Sequence, residues 1–283
     1  MKEITLVSWN VNGIRAVSKK DISEGMKFNQ ILQKEEFVKL KLLDWLHLLS
    51  PDSLCLQETK AHPDQLTSSL LKPQGYTSNF SSAERKGYSG VVTYSKTKPV
   101  HVNTDLAVER LNKEGRVMET EFPDFVLLNV YFPNGKLSDE RLKYKMDFYE
   151  VFLEHVVNLR KQRKSVIICG DVNTAHTGID LTHPKPNETV SGFLPNERKW
   201  IDKLISKGFV DTFRYFNKEP EHYTWWSTRA IVKGVTARER NVGWRIDYFF
   251  VSDDLLDNLV ESVMMNEVMG SDHCPIKIKL KFE

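Results

Sequence analysis

The chain has 283 residues, 40% hydrophobic and 28% charged, with 40 Lys and Arg against 38 Asp and Glu for a net charge of +2. A chain of this length can bury roughly 75% of its unfolded surface without disulfide or metal staples, and the composition excludes wholesale disorder. Its longest aliphatic runs, such as VIIC at 166–169, fall far short of the ~18 apolar residues of a membrane span, and its start has neither the apolar core nor the cleavage site of a signal peptide.

In chain order, ITLVSWN at 4–10 reads as a buried strand ending in Asn10. A helix is expected over 32–49, closed by Ser50-Pro51-Asp52, and SLCLQ at 53–57 is a second strand running into Glu58. FVLLNVYFPNG at 125–135 is a third, with Tyr131 and Asn134 at its end. Over 138–159, Leu142, Met146, Tyr149, Leu153 and Val156 recur at three- and four-residue steps, the stripe of an amphipathic helix. VIICGDVNTAH at 166–176 starts apolar on both faces, as a central strand must, and delivers Asp171 and Asn173. A further helix over 195–207 has Pro195 at its start, Trp200, Ile201, Leu204 and Ile205 inward, and Gly208 as its stop. RIDYFFVS at 245–252 carries Asp247; GSDHC carries Asp272 and His273. Ile276, Ile278, Leu280 and Phe282 then alternate with lysines, so the last strand has one wet face.

No repeat or Gly/Ser/Pro-rich linker divides the chain, so a single α/β domain spanning 1–283 is expected. Cys55, Cys169 and Cys274 lie in or beside apolar stretches without CxxC spacing, the pattern of buried free thiols in a reducing cytoplasm. Strand after strand ends in Asn, Glu, Asp or His, which can converge on one sheet edge as an active site. A lone Asp after a strand is more often a cap. Glu58, Asp171 and Asp272 with Asn10 and Asn173 form instead a set of hard oxygen donors suited to Mg²⁺ or Mn²⁺ rather than zinc. His273 adds a titratable ring that Asp247 can orient. Over 225–246, Arg229, Lys233, Arg238, Arg240 and Arg245 face only Glu239, with Trp225, Trp226 and Trp244 interspersed. That composition suits phosphate contact and packing against a sugar or base, although a solvated loop over core tryptophans would read the same way. Phosphate-loop, dinucleotide-loop, HExxH and GxSxG motifs are absent.

SWNVNGIRA, LQETK, KGYSGV, VYFPNG, GDVNTAH, SGFLPNER, NVGWRIDYFFVS and GSDHCP, in order from residue 8 to 275, resemble the exonuclease III / apurinic-apyrimidinic endonuclease family of the endonuclease/exonuclease/phosphatase superfamily. The resemblance implies a four-layered α/β sandwich, two mixed sheets face to face with helices outside. It implies a Mg²⁺-dependent DNA-repair phosphodiesterase that cuts duplex DNA 5′ to abasic sites, leaves a 3′-hydroxyl, and has some 3′–5′ exonuclease and 3′-end-cleaning activity. Matching positions give Glu58 as principal metal ligand, with Asn10, Asp171, Asn173, Asp272 and His273 around the metal. Asp171 activates the water, Asn173 holds water or phosphate, His273 paired with Asp247 contacts the scissile phosphate, and Tyr131 lies on the leaving side. Trp225, Trp244 and Ile246 match the abasic-sugar pocket, and Arg15, Lys60, Tyr88 and Asn134 match DNA-contacting positions. Arg238 and Arg240 join them from the basic stretch.

The expected enzyme is a cytoplasmic monomer, nucleoid-associated if the source is a prokaryote. Asn12 stands where some relatives carry Asp, His183 and Val190 replace asparagines, and the loop 227–235 is longer than in many relatives. The alternatives are a nonspecific nuclease, a phosphoinositide-type phosphatase, or a relative that binds DNA without cutting it.

Overall fold

The computed structural model describes residues 2–23 and 39–283. In chain order the strands are β1 (Lys2–Asn10), β2 (Ser53–Gln57), β3 (Thr77–Ser81), β4 (Val91–Ser95), β5 (His101–Asn103) and β6 (Val117–Glu121). They continue with β7 (Val126–Tyr131), β8 (Val166–Asp171), β9 (Phe209–Asp211), β10 (Asp247–Ser252), β11 (Leu259–Met264) and β12 (Ile276–Phe282). The α-helices are α1 (Ile14–Val17), α2 (Leu42–Leu49), α3 (Ser68–Leu71), α4 (Asp139–Lys161), α5 (Pro184–Asn187), α6 (Pro195–Ser206) and α7 (Thr212–Phe216).

Two six-stranded sheets have the orders β11-β12-β1-β2-β4-β3 and β5-β6-β7-β8-β10-β9. Each has one parallel pair at its centre, β1 with β2 and β7 with β8, flanked by antiparallel neighbours. Strand alternation builds the layers. In β1, Ile4 and Leu6 point between the sheets, toward Leu127, Ile167 and Phe249, while Val7 and Trp9 pack on the other face with Trp45 of α2. In β8, Ile167 and Cys169 face inward, while Val166 and Ile168 pack under α4 and α6 with Phe152 and Trp200. The result is the expected four-layered sandwich.

Local sequence explains the helices well. Ser138 caps α4, its side chain accepting from the Arg141 amide at 3.2 Å, and Asp139/Glu140 and Arg160/Lys161 complement the dipole at the two ends. Gly208 follows α6 at φ +85°, a left-handed stop. Two expectations need correction. Ile205 is 37% exposed, because α6 buries only the narrower stripe Trp200, Ile201 and Leu204 along with Glu197. The helix expected over 32–49 begins at Leu42, after Lys41 in extended backbone, and residues 32–38 lie outside the described residues. Cys55, Cys169 and Cys274 are free and buried. Among the described residues, no helix is long and apolar enough to cross a membrane.

Candidate active site

Register brings the polar strand ends together. Asp171 lies opposite Tyr131 on one side and Asp247 on the other, so β7, β8 and β10 present these three side chains in a row. Gly170, just before, sits at φ +133°, where a Cβ would lie 1.9 Å from the Val130 carbonyl oxygen. Only glycine lets β8 approach β7 that closely. From the other sheet, Asn10 ends β1, Glu58 follows β2, and Asp272-His273 lead into β12. Asn12, Glu58, Lys60 and Asn173 all adopt left-handed backbone (φ 47°, 52°, 49° and 55°) in the turns after the strands. Four non-glycine residues in this costly region around one cleft mark a place where geometry outranks local comfort.

The Asn10 amide donates to Glu58 Oε1 and to Asp171 Oδ2, both at 2.9 Å, clamping two carboxylates from opposite sheets. Asn173 donates its backbone N–H to Asp171 Oδ1 (2.8 Å) and its amide to Oδ2 (3.2 Å), while its own Oδ1 accepts from Asn134 at 3.1 Å. His273 Nδ1 meets Asp247 Oδ2 at 2.8 Å, and its Nε2 lies 4.0 Å from Asp171 Oδ2. Trp225 Nε1 donates to Asp272 Oδ2 at 3.0 Å, and Asn12 to Oδ1 at 2.9 Å. Lys60 bonds Asn12 and pairs with Glu58 Oε2 at 2.9 Å.

These contacts set the protonation states. Burial and the facing Asp247 raise Asp171 to about 7, with Glu58 adding to the rise and His273 opposing it. Burial disfavours the charged His273 ring, but Asp247, Asp171 and Asp272 outweigh it and lift the pKa to about 10. Burial would likewise raise Glu58 and Asp272. Lys60, Asn10 and His273 hold the first below its ordinary value, and His273, Asn12 and Trp225 hold the second. Glu58, Asp171 and His273 each place one ligand atom within 4.8 Å of the others. With the imidazole held charged, Glu58 and Asp171 carry the free lone pairs, and such hard oxygens fit Mg²⁺ or Mn²⁺. The Asn10 amide turns its donor group to both carboxylates and its oxygen to the Asn12 amide, so it orients the acidic pair.

A cleft of about 190 Å³ runs from these groups to an apolar wall; Glu58, Tyr131, Asp171, His273, Trp225, Trp244 and Ile246 all line it. The two tryptophans exchange backbone hydrogen bonds of 2.9 Å and meet edge to face, with ring centroids 6.5 Å apart. Gly192 (φ +102°) lies beneath Trp244, where a Cβ would come within 3.2 Å of the ring.

Not every candidate falls at this cleft. Asn134 lines it, and Arg15 is an exposed neighbour that reaches the Lys60 carbonyl. Tyr88 lies behind Tyr131, its hydroxyl accepting from Arg116 and Arg141. Arg238 donates to the carbonyls of Ser271, Asn266 and Val268 and stacks over Trp226, bracing the turn before Asp272. Arg240 is exposed and bonds the Ala230 carbonyl within the loop 227–235, while Arg245 is fully buried between Asp180 and Asp211. Of the five positive residues counted over 225–246, Arg238 and Arg245 are thus engaged within the fold, while Arg229, Lys233 and Arg240 stay exposed. Conversely, Lys136 holds its ammonium 5.0 Å from the Trp244 ring centroid and 5.6 Å from that of Trp225, at the pocket mouth. Its position just after Asn134-Gly135 was the only signal in the sequence. Arg116, against the Tyr131 ring, had none.

Comparisons with known proteins identify the family and the fold. The sequence profile of the Endonuclease/Exonuclease/phosphatase family matches residues 7–273. The chain is 40% identical to an exodeoxyribonuclease of Bacillus subtilis, over 96% of this chain and 98% of that one. It is 39% identical to the DNA repair nuclease APEX1 of Danio rerio, over 97% and 81%. Among solved structures, the catalytic domain of Xenopus laevis APE2 superposes with a TM-score of 0.79 at 30% identity, covering 97% of this chain and 91% of that one. An AP endonuclease from Archaeoglobus fulgidus gives 0.79 at 26%, covering 99% and 100%. The chain belongs to the endonuclease/exonuclease/phosphatase family and is a hydrolytic enzyme of its exonuclease III / apurinic-apyrimidinic endonuclease branch.

Proposed function

We propose that the protein is a Mg²⁺-dependent DNA-repair phosphodiesterase that cuts duplex DNA on the 5′ side of abasic sites and leaves a 3′-hydroxyl, with secondary action on 3′ ends. One observation carries the reading: the Trp225–Trp244–Ile246 wall and the Asp171–His273–Glu58 cluster share one small cleft. At about 190 Å³ it is smaller than the ~300–1,000 Å³ of pockets for drug-sized ligands. The apolar wall offers a bare deoxyribose ring a surface directly beside the acidic cluster. An abasic nucleotide also has no base to unpair, which lowers the penalty for leaving the helix.

Glu58 would hold the metal, with Asp171 and Asp272 beside it; when bound, the cation supplies Lewis-acid stabilisation of charge on the phosphoryl oxygens. The chain's own groups do the rest. Asp171, raised toward neutrality in the ion-free site, accepts the proton of the water that attacks phosphorus; the P–O3′ bond breaks, and the departing 3′-oxygen takes a proton from solvent to become the 3′-hydroxyl. Asn173 fixes the orientation of Asp171 through two hydrogen bonds. His273, kept cationic by Asp247, donates from Nε2 to a phosphoryl oxygen whose charge grows in the transition state.

The test is a duplex with one tetrahydrofuran site, incubated with Mg²⁺ and with EDTA. Cleavage at that site only with Mg²⁺, leaving an extendable 3′-hydroxyl, supports the reading. Cutting at every position points to a nonspecific nuclease. Binding without cutting points to a relative that only holds DNA, and turnover of phosphoinositide alone to a phosphatase.

A further inference from the structure

Arg116, just before β6, is only 2% exposed. Its Nη1 donates to the Tyr131 carbonyl at 2.9 Å, and the Tyr131 N–H donates back to the Arg116 carbonyl at 2.9 Å. The guanidinium carbon lies 4.5 Å from the Tyr131 ring centroid. Nε bonds Glu114 Oε2 at 2.6 Å, and Nη2 bonds the Tyr88 hydroxyl at 3.2 Å. Arg141 grips both oxygens of the same Glu114, at 2.7 and 2.6 Å, and reaches the same Tyr88 hydroxyl at 3.1 Å.

Neutralising Glu114 does not account for this arrangement, since the two-pronged Arg141 already does so. The second guanidinium leaves a surplus positive charge held within the fold, its carbon over the Tyr131 ring. Asp171 lies across from Tyr131 on β8, on the side of β7 away from β6, and Glu58 lines the same cleft; both carboxylates act on the phenol. Tyr131 is thus bracketed between a fixed cation and the acidic cluster. We infer that Arg116 is a positioning residue for the reaction: it fixes the Tyr131 phenol in the cleft, and through the shared Tyr88 hydroxyl it makes the KGYSG loop and the reacting centre one rigid unit. This role rests on the phosphodiesterase reading above.

A double-mutant cycle tests it, on the tetrahydrofuran duplex with Mg²⁺. Arg116→Lys keeps the charge but loses the flat, forked contact. It should lower the single-turnover rate by about 10- to 100-fold, as a misplaced reacting group does, while Kd for DNA stays within about twofold. In a Tyr131→Phe background, where there is no hydroxyl left to place, the same substitution should lower the rate less than about twofold. A structural role would give the same fold-loss in both backgrounds, or a loss of affinity matching the loss of rate; either overturns the inference. Should Arg116→Lys fold poorly, Glu114→Gln, which leaves the guanidinium in place but less well anchored, must show the same dependence on the Tyr131 hydroxyl with a smaller loss. Absence of this dependence is equally fatal. Wild-type protein that ignores the tetrahydrofuran site overturns the abasic reading alone, and the cycle then runs on digestion of undamaged 3′ ends.

Discussion

Asp171 and His273 face each other at 4.0 Å with their proton affinities displaced in a coordinated way: a carboxylate raised to about 7 and an imidazole raised to about 10. Asp171→Asn keeps the shape and removes the base, so single-turnover cleavage should fall by about 10²-fold or more while Kd for DNA holds. A rate within threefold of wild type in quench-flow would remove Asp171 from the chemistry. Trp244→Ala opens the apolar wall and leaves Glu58 and Asp171 in place. The ratio of cleavage at a tetrahydrofuran site to cleavage at undamaged positions should therefore fall more than the intrinsic rate; an unchanged ratio would make the indole a core residue only. The acidic residues were legible in the sequence because Glu58 and Asp171 sit where an apolar run stops and Asp247 and Asp272 just before one starts, and chain order alone shows that. The guanidiniums were not. Arg238 and Arg245 read as surface charge, since nothing local reveals that one meets three carbonyls and the other two buried carboxylates. Lys136 and Arg116 were missed for the same reason: cation–aromatic contacts form across distant segments.

At the scale of elements, two buried ionic nodes fasten loops to helices. Lys145 of α4 and Glu197 of α6 pair at 2.7 Å with no solvent exposure. Lys145 also donates to the Asn173 carbonyl, and Glu197 accepts from the Ser191 hydroxyl and from the Gly192 and Leu194 amides. One node therefore sets both the Asn173 turn and the segment under Trp244. Lys145→Met leaves Glu197 charged and buried, and should cost about 3–5 kcal/mol in urea unfolding, with partial recovery in Lys145→Met/Glu197→Gln. No recovery in the double variant would assign the loss to packing. In the second node Asp180 meets Arg245 at 2.7 Å and Arg214 of α7 at 2.6 Å. Burial alone would raise Asp180, but the two guanidiniums outweigh it and hold its carboxyl well below the usual range. Because the folded protein binds this proton less readily than the unfolded chain, its contribution is full above the ordinary carboxylate pKa of ~3.9 and lost as pH falls below it. The urea midpoint should drop more steeply below about pH 4 in wild type than in Asp180→Asn; parallel curves would refute this. The amphipathic stripe of α4 was readable, yet its most buried polar member, Lys145, broke the pattern and was passed over, because periodicity scores a lysine as solvent-facing.

For the molecule as a whole, the site spans the seam between the sheets: Asn10, Glu58, Asp272 and His273 come from one, Tyr131, Asp171 and Asp247 from the other. A cation gripped there binds only the native arrangement, so at tenfold its Kd Mg²⁺ should stabilise the fold by about 1.4 kcal/mol. Calorimetry should show a Tm rise that Glu58→Ala abolishes; an equal rise in that variant would place the ion elsewhere. Sheet partition was the least legible level in the residues themselves and was supplied by the family resemblance, since pairings such as Lys2 with Phe282 leave no local trace. That pairing matters during synthesis. β12 is the last strand in chain order, yet it lies between β11 and β1. While a ribosome works through the preceding stretch, one edge of β1 stays open, a natural target for chaperones or stray strands. Asp272 and His273 lie just ahead of β12, so a chain made only as far as β11 lacks two members of the catalytic cluster and should not cut.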